Sequence, residues 1–447
     1  MQLHVDFERP AGRIKPMHAV GQPPFNGGFL SFDFTPMKWL REAGIPYARL
    51  HDVGGAFGSN RFVDIPNLFR DFNADENDPA AYDFTFTDVL LAAMASYDVK
   101  PIFRLGVTIE NQANIKPYRI FPPADYGKWA RICEHVIRHY NEGWANGFHY
   151  GITYWEIWNE PDNGPTVARN QMWTGTAEQY YELYDVTAKH LKKCFGNAIK
   201  VGGYAACSSL AMFEDPARYG MDLPRRDLPN RYEKDIYRSD FLIGFFDYIR
   251  EHQSPIDFFS WHSYGTVEET MVMADFIDKV MTEHGYGQVE TQCNEWNNAP
   301  GLSLVGSSRA AAAAAAMMCA MQGKKTYMLC YYDARLGYGD YAGLFDCMKQ
   351  RPNATYYAFA AFDQLYRLGN AVVCRGQEKG VYAAAARDGG KKAVLIANTG
   401  AKTEMTLNAP AGSTVYLLDK THFLTPTDLD PCRFTLQSNR TVLIRNY

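Results

Sequence analysis

The chain has no Cys-x-x-Cys pair. Its nine cysteines (133, 194, 207, 293, 319, 330, 347, 374 and 432) are odd in number and scattered, which argues against both a disulfide framework and a zinc site and leaves reduced thiols. No uninterrupted apolar run approaches membrane-spanning length, and the stretch from Met1 to Pro10 has no basic segment followed by an apolar core. The expectation is a cytoplasmic protein without a membrane partner. A basic excess is also missing: 45 Lys and Arg face 50 Asp and Glu, for a net charge of -5 and a pI near 6.1. Nucleic acid is therefore a poor partner and a neutral substrate a better one. Finally, no Gly-x-Gly-x-x-Gly or Walker loop follows the first predicted strand, which sets aside the nucleotide-binding α/β folds. No cofactor and no metal are expected.

What the 447 residues do contain is a 47% hydrophobic share and 14% aromatics, enough for a sizeable core and an aromatic-lined cleft. The chain is organised around Tyr154-Trp155-Glu156-Ile157-Trp158-Asn159-Glu160-Pro161-Asp162, a buried-strand pattern that ends in an amide, an acid and a proline. The pattern returns as Gln288-Val289-Glu290-Thr291-Gln292-Cys293-Asn294-Glu295-Trp296-Asn297. A carboxylate where a strand leaves the sheet is where a (β/α)8 barrel keeps its reactive groups. Two such acids converging across the mouth are what cleavage of a glycosidic bond with retention requires, at a separation of roughly 5–5.5 Å.

In order, residues 1–16 contain a lone alternating strand (Leu3, Val5, Phe7), expected to join a distant β-domain with those three residues inward. From 17 to 369 short apolar strands alternate with longer helices. Strands are predicted at Met17–Gly21, Tyr47–Leu50, Pro101–Leu105, 153–158, Ile199–Gly203, Ile256–Trp261, a seventh that delivers Glu295, and Tyr327–Tyr332. Eight such units predict a TIM barrel. The second strand turns away at Gly54-Gly55, and the third is followed by Glu110 and Asn111. The Asp-, Asn- and Pro-rich segment 57–84, with spaced aromatics such as Phe62, is expected to be an ordered loop over the mouth, and 208–238 a second loop without period. Both rising from one face predict a pocket rather than a groove. The charges and prolines of 208–238 are also compatible with a homo-oligomer. The alanine tract within Ser307–Met321 predicts a helix packed closely through small side chains. After Gly369 the pattern is purely β, seven short strands from Ala371 to Arg445, which predicts a β-sandwich over 370–447.

The strand ends collect Arg49, His51 and Asp52; Asn159 and Glu160; His262 and Tyr264; Glu295; and Asp333. Singly, each has a plain structural reading, such as a hydrogen-bonded core histidine. Jointly they mark the upper end of the barrel. Trp158, Trp261, Trp296 and Tyr332 would supply stacking surface, with core packing at least as natural a place for them. Glu290, five residues before Glu295, belongs low in its strand, and Glu156 reads as a partner one layer below Glu160.

With these residues in place the sequence resembles the retaining glycoside hydrolases of the (β/α)8 clan, family 39 in particular, which holds β-xylosidases and α-L-iduronidases. Trp158-Asn159-Glu160-Pro161 matches the family's acid/base element, and Asn294-Glu295-Trp296-Asn297 its nucleophile element. His51, His262-Ser263-Tyr264 and the Tyr356-Tyr357-Ala358-Phe359 helix agree with it too. The resemblance implies Glu295 as nucleophile, Glu160 as general acid/base, and an oligosaccharide or glycoside substrate (xyloside, arabinoside or uronide) contacted by His51, Asp52, Asn159, His262, Tyr264, Trp296, Tyr332, Asp333 and Arg335. In iduronidases an arginine after strand eight meets the substrate carboxylate. Arg335 is in that region, but Asp333 and Asp340 are equally available to it. A catalytically silent sugar-binding barrel and a transglycosylase with the same residues are the alternatives.

Overall fold

The computed structural model describes residues 1–27, 32–53, 63–108, 120–166, 168–229, 231–337, 339, 341–346 and 348–447. Gly54, Gly55, Phe62, Glu110, Asn111, Asp340 and Cys347, named above, lie outside these residues.

Eight parallel strands close into a barrel: Ala19–Gly21, Tyr47–Leu50, Lys100–Leu105, Tyr154–Ile157, Lys200–Ala206, Phe258–Ser263, Glu290–Trp296 and Met328–Tyr331. Their apolar alternation places one set of side chains inside the barrel and the other against the surrounding helices. The lower interior is filled by Ala19, Ile102, Tyr154, Phe258, Met328 and Cys330. There the Tyr154 hydroxyl donates to Glu290 Oε1 at 2.9 Å and Lys200 Nζ to Oε2 at 2.5 Å. Glu290 is thus spent on the barrel floor. Arg49 and Glu156, both essentially unexposed, stand above this layer.

Two of the long helices start on reciprocal side-chain caps. Thr176 and Thr266 each form a reciprocal cap with the residue three positions on, Gln179 and Glu269, ahead of helices Ala177–Phe195 and Val267–Glu283. The segment 208–238 is a correction: it holds a short helix at Ala211–Glu214, and from Tyr232 it is the first part of a long helix, Tyr232–Glu251. That half escapes a periodicity search because buried or half-buried positions there, Asp235 and Arg238, are charged.

Apart from two small two-stranded sheets (Asn26–Gly27 with Phe32–Asp33, and Phe345–Asp346 with Arg351–Pro352), the other strands form a β-domain of nine, ordered Phe423–Thr427, Thr414–Leu418, Arg440–Arg445, Lys391–Asn398, Val381–Asp388, Asn370–Arg375, Gln2–Arg13, Thr403–Leu407 and Arg433–Leu436. The amino-terminal strand runs antiparallel to Asn370–Arg375 (Val5 opposite Cys374) and parallel to Thr403–Leu407 (Leu3 opposite Leu407). Leu3, Val5 and Phe7 are buried with Val394, Ile396, Met405, Phe434 and Ile444. Strand Phe423–Thr427 is absent from the sequence expectation because Pro426 interrupts it; it is an edge strand, where a missing donor costs little. The alanine helix Ser308–Gln322 and helix Ala354–Leu368 pack against one another and both against this sheet, with Ala311, Ala314 and Ala315 in one core with Ala384, Ala386 and Ala393. Among the described residues no helix is long and apolar enough to cross a membrane.

Candidate active site

The fourth strand stops at Ile157, and the next residues leave the sheet sharply. Trp158 and Glu160 adopt φ of 70° and 46°, and Asp52 at the end of the second strand 55°. Such left-handed backbone at non-glycine residues is strained, and it persists where surrounding contacts hold it. Here Trp158 N–H donates to Leu105 O at 2.8 Å, and Glu160 N–H is shared between the carbonyls of Tyr204 and Ala205 at 3.2 Å each. Gly106 makes the crossing: a Cβ there would lie 2.9 Å from Trp158 Cα. The turn throws the Trp158 indole outward onto Trp129 and Trp173, its Nε1 donating to Met172 O at 2.9 Å, while Glu160 enters the mouth.

The two candidate acids meet. One oxygen of Glu160, one of Glu295 and a ring nitrogen of His262 lie within 4.8 Å of one another. His262 Nδ1 is 2.8 Å from Glu160 Oε1 and its Nε2 is 3.7 Å from Glu295 Oε2. Asn163 Nδ2 donates to Glu160 Oε2 at 2.7 Å. Glu295 accepts from the Tyr264 hydroxyl at Oε1 and from Arg49 at Oε2, the latter at 3.1 Å. Arg49 also donates to Glu156 Oε2 at 2.8 Å and to Asn159 Oδ1 at 2.6 Å, and Asn294 Nδ2 donates to Glu156 Oε1. With its oxygen occupied, what Asn159 can offer a ligand is its Nδ2 donor.

Around this centre, Asp52 accepts from Tyr332 Oη at 2.9 Å and pairs with His51 Nε2 at 3.2 Å. The rings of Tyr264 and Tyr341 stack at 4.7 Å. Arg335 is engaged by Asp333, Nε to Oδ2 at 2.8 Å, and lies 5.4 Å from the Tyr332 ring centre. Trp296 is not brought to the mouth. Its side chain is fully buried, edge-on to Tyr331 at 4.9 Å, because the strand bulges between Cys293 and Glu295 and turns position 296 outward. Trp261 is buried likewise.

Burial raises the carboxyl pKa of both acids, and their surroundings then divide them. At Glu160 burial is outweighed by the hydrogen bond and charge of His262, with Arg238 and Asn163, which bring it down to about 2. At Glu295 burial, with the Glu160 charge, prevails over His262, Arg49 and Tyr264 and holds it up. His262 is opposed by burial but raised by Glu295 and Glu160. Glu295 and Glu160 together favour the charged form of His262, which makes the imidazole the proton-bearing partner of Glu160 in the free site. The same three residues have the spacing of a cation site, but Arg49 and Tyr264 already donate to Glu295 and Asn163 to Glu160. A fixed guanidinium beside Glu295 opposes a second cation.

Two cavities open at this end. One of about 400 Å³ is lined by Glu160, Tyr264, Leu210 and three arginines, 226, 231 and 238. Another of about 220 Å³ is lined by Asp52, Gln22 and Arg335 among others. A larger space of about 1070 Å³ lies where the barrel meets the β-domain and touches neither acid.

The family model for glycosyl hydrolases family 39 matches residues 42–338, from before the second barrel strand to past the eighth. This chain belongs to that family. The family 39 chain is 24% identical over 218 residues to a β-xylosidase of Geobacillus stearothermophilus, covering 46% of this chain and 35% of that one. It is 25% identical over 238 residues to a β-xylosidase of Caldicellulosiruptor saccharolyticus, covering 50% and 43%. The match thus spans less than half the length of either relative. In fold it resembles a glucosidase from Croceicoccus marinus (TM-score 0.74, 22% identity, 99% and 98% of the two chains). It also resembles a family 39 β-xylosidase from Caulobacter crescentus (TM-score 0.67, 17% identity, 100% and 99%).

Sequence reasoning passed over Asn163 and Tyr341, and it named Arg49 only as one member of a group. Asn163 lies three residues past Glu160 in the same turn, a local signal for a side chain folding back on the acid.

Proposed function

We propose that the chain is a retaining, exo-acting glycoside hydrolase in which Glu295 attacks the anomeric carbon and Glu160 acts first as acid, then as base. The observation that carries this reading is the approach of the two carboxylates, whose nearest oxygens fall within 4.8 Å. Retaining pairs stand about 5–5.5 Å apart, whereas inverting pairs leave about 6.5–9.5 Å for a water. Arg49 and Tyr264 donate to Glu295, which favours the carboxylate a nucleophile must be.

The acid needs a proton, and the 2.8 Å contact with His262 Nδ1 is its source. Passing that proton to Oε1 leaves a neutral imidazole and a carboxylic acid, which then protonates the departing oxygen. Having given up its proton, Glu160 is a carboxylate beside a now-neutral ester, and it takes a proton from the incoming water. Asn159 Nδ2 supplies a donor for the sugar 2-hydroxyl, a contact that tightens as positive charge develops at the anomeric centre. The β-xylosidase relatives make xylosides the first substrates to test.

The test follows aryl β-D-xylosides, then arabinosides and uronides, with product anomers read by NMR. Glu295→Ala should abolish turnover on every substrate. Glu160→Ala should spare activated leaving groups and be rescued by azide. Release of the inverted anomer, equal losses on activated and unactivated substrates, or random internal cleavage of a polysaccharide would each overturn part of this reading.

A further inference from the structure

The 400 Å³ cavity touches Glu160 and Tyr264 but not Glu295, Asn159 or His51. It therefore lies on the side of the proton donor, where the leaving group departs, and its volume suits a monosaccharide-sized group. Its wall is unusual for a neutral sugar. Arg226, Arg231 and Arg238 face it, against the carboxylates of Glu160 and Glu269, and Tyr264 is the one aromatic in that lining.

We propose that this leaving-group side accepts an aglycone bearing an oxyanion, a carboxylate, sulfate or phosphate, selected by Arg226 and Arg231 with Arg238 behind them. The proposal rests on the reading of Glu160 as the proton donor. Each arginine keeps donors in reserve. Arg226 reaches Glu269 at 2.5 Å through one nitrogen, and its guanidinium carbon lies 4.4 Å from the Phe213 ring centre, a cation–π contact. Glu269 is itself occupied by the backbone of Thr266 at 2.9 Å. Arg231, half exposed at 47%, meets Asp235 at 3.5 Å, too long for a good hydrogen bond. Arg238 donates to Ser208 O at 2.7 Å and stands 3.7 Å from Asp235, while its buried Nε has no partner.

The charge balance points the same way. When Glu160 carries the proton it will donate, it is neutral. In the lining itself three guanidinium groups, Arg226, Arg231 and Arg238, then face the single carboxylate of Glu269. An oxyanion on the aglycone balances that excess of positive charge, and a planar carboxylate matches the fork of a guanidinium.

Calorimetric titration of the full chain with D-glucuronate, D-glucose 6-sulfate, D-glucose 6-phosphate and D-glucose tests this without any turnover. We expect at least one anion to bind about tenfold more tightly than glucose at roughly 50 mM salt, with the gap closing toward parity near 0.5 M. The anion that binds best names the source. Arg231→Ala and Arg226→Ala should each cut the anion-to-glucose ratio about fivefold, which a purely structural role would not do. Equal binding of glucose and all three anions, or a preference that survives the double variant, overturns the proposal. Should either variant fail to fold, the wild-type enzyme decides through its acceptors: with an aryl glycoside donor, transfer to the anionic sugars should exceed transfer to glucose, and the reverse overturns it. An enzyme that binds the anions but cleaves no glycoside would sink the proposed function and leave this site standing. One that cleaves glycosides with no anion preference would do the opposite.

Discussion

Nδ1 of His262 stands 2.8 Å from Oε1 of Glu160, with the imidazole wholly buried. The contact ties stability to pH. Glu160, depressed in the fold to about 2 from 4.5, contributes above its unfolded value and loses that contribution as pH falls through 2. His262, raised above 6.5, contributes fully below that value and loses it as pH rises through the folded pKa. The pair is therefore worth most between about pH 4.5 and 6.5. Comparing wild type with His262→Gln, the gap in melting temperature should be widest near pH 5.5 and narrow by ~3 °C or more toward pH 8.5. A gap that is constant or grows with pH contradicts this.

Tyr264→Phe removes one donor to Glu295 without changing the shape of the wall. A hydrogen bond to a charged group is worth about 1.5–3 kcal/mol, so kcat/KM on an aryl glycoside should fall roughly 10- to 150-fold. The Tyr264 phenol is held well above its usual range by burial and the Glu295 charge, and its hydrogen bond lowers the Glu295 pKa, so the loss should deepen from pH 8 toward pH 5. A loss that shrinks toward acid pH would assign the hydroxyl a different role.

Arg49→Met leaves Glu156 buried without its guanidinium and releases Asn159 and Glu295 together. Breaking a buried pair costs about 3–5 kcal/mol, on the order of 10 °C in melting temperature for a large domain. Scanning calorimetry that found less than about 3 °C would show the network to be held from elsewhere.

Deleting residues 1–9 withdraws Leu3, Val5 and Phe7 from the β-domain. Each buried side chain is worth about 1.5–3 kcal/mol at most, so melting should drop by ~5 °C or more, with turnover at low temperature retained. An unchanged melting point would mean that the strand adds nothing to that core.

The barrel and the two strand-end acids were legible because both depend on local pattern: a period-two run, an amide, an acid, and a proline that ends the strand. The network joining them was not. Arg49, Glu156, Asn294 and Glu295 come from three different strands, and nothing in their spacing says that one guanidinium will serve three of the strand-end side chains. Trp296 shows the opposite failure. It follows an acid in a motif, but a single bulge in its strand reverses the side on which it lies. Strand parity survives only as far as the ladder stays regular.

The joint between helix Ser308–Gln322 and the β-domain is rich in alanine, with Ala311, Ala314 and Ala315 on the helix and Ala384, Ala386 and Ala393 on the sheet sharing its core with Cys319 and Leu395. Methyl groups have no rotamers with which to absorb a misfit, so the two surfaces fit at one spacing or not at all. For protein engineering the consequence is that the β-domain is not an interchangeable part: a graft whose sheet carries valines where this one has Ala384, Ala386 and Ala393 would be wedged off its seat. Chimeras within the family should be cut inside loops of the barrel's upper face, with the alanine helix and the sheet it touches inherited from one parent.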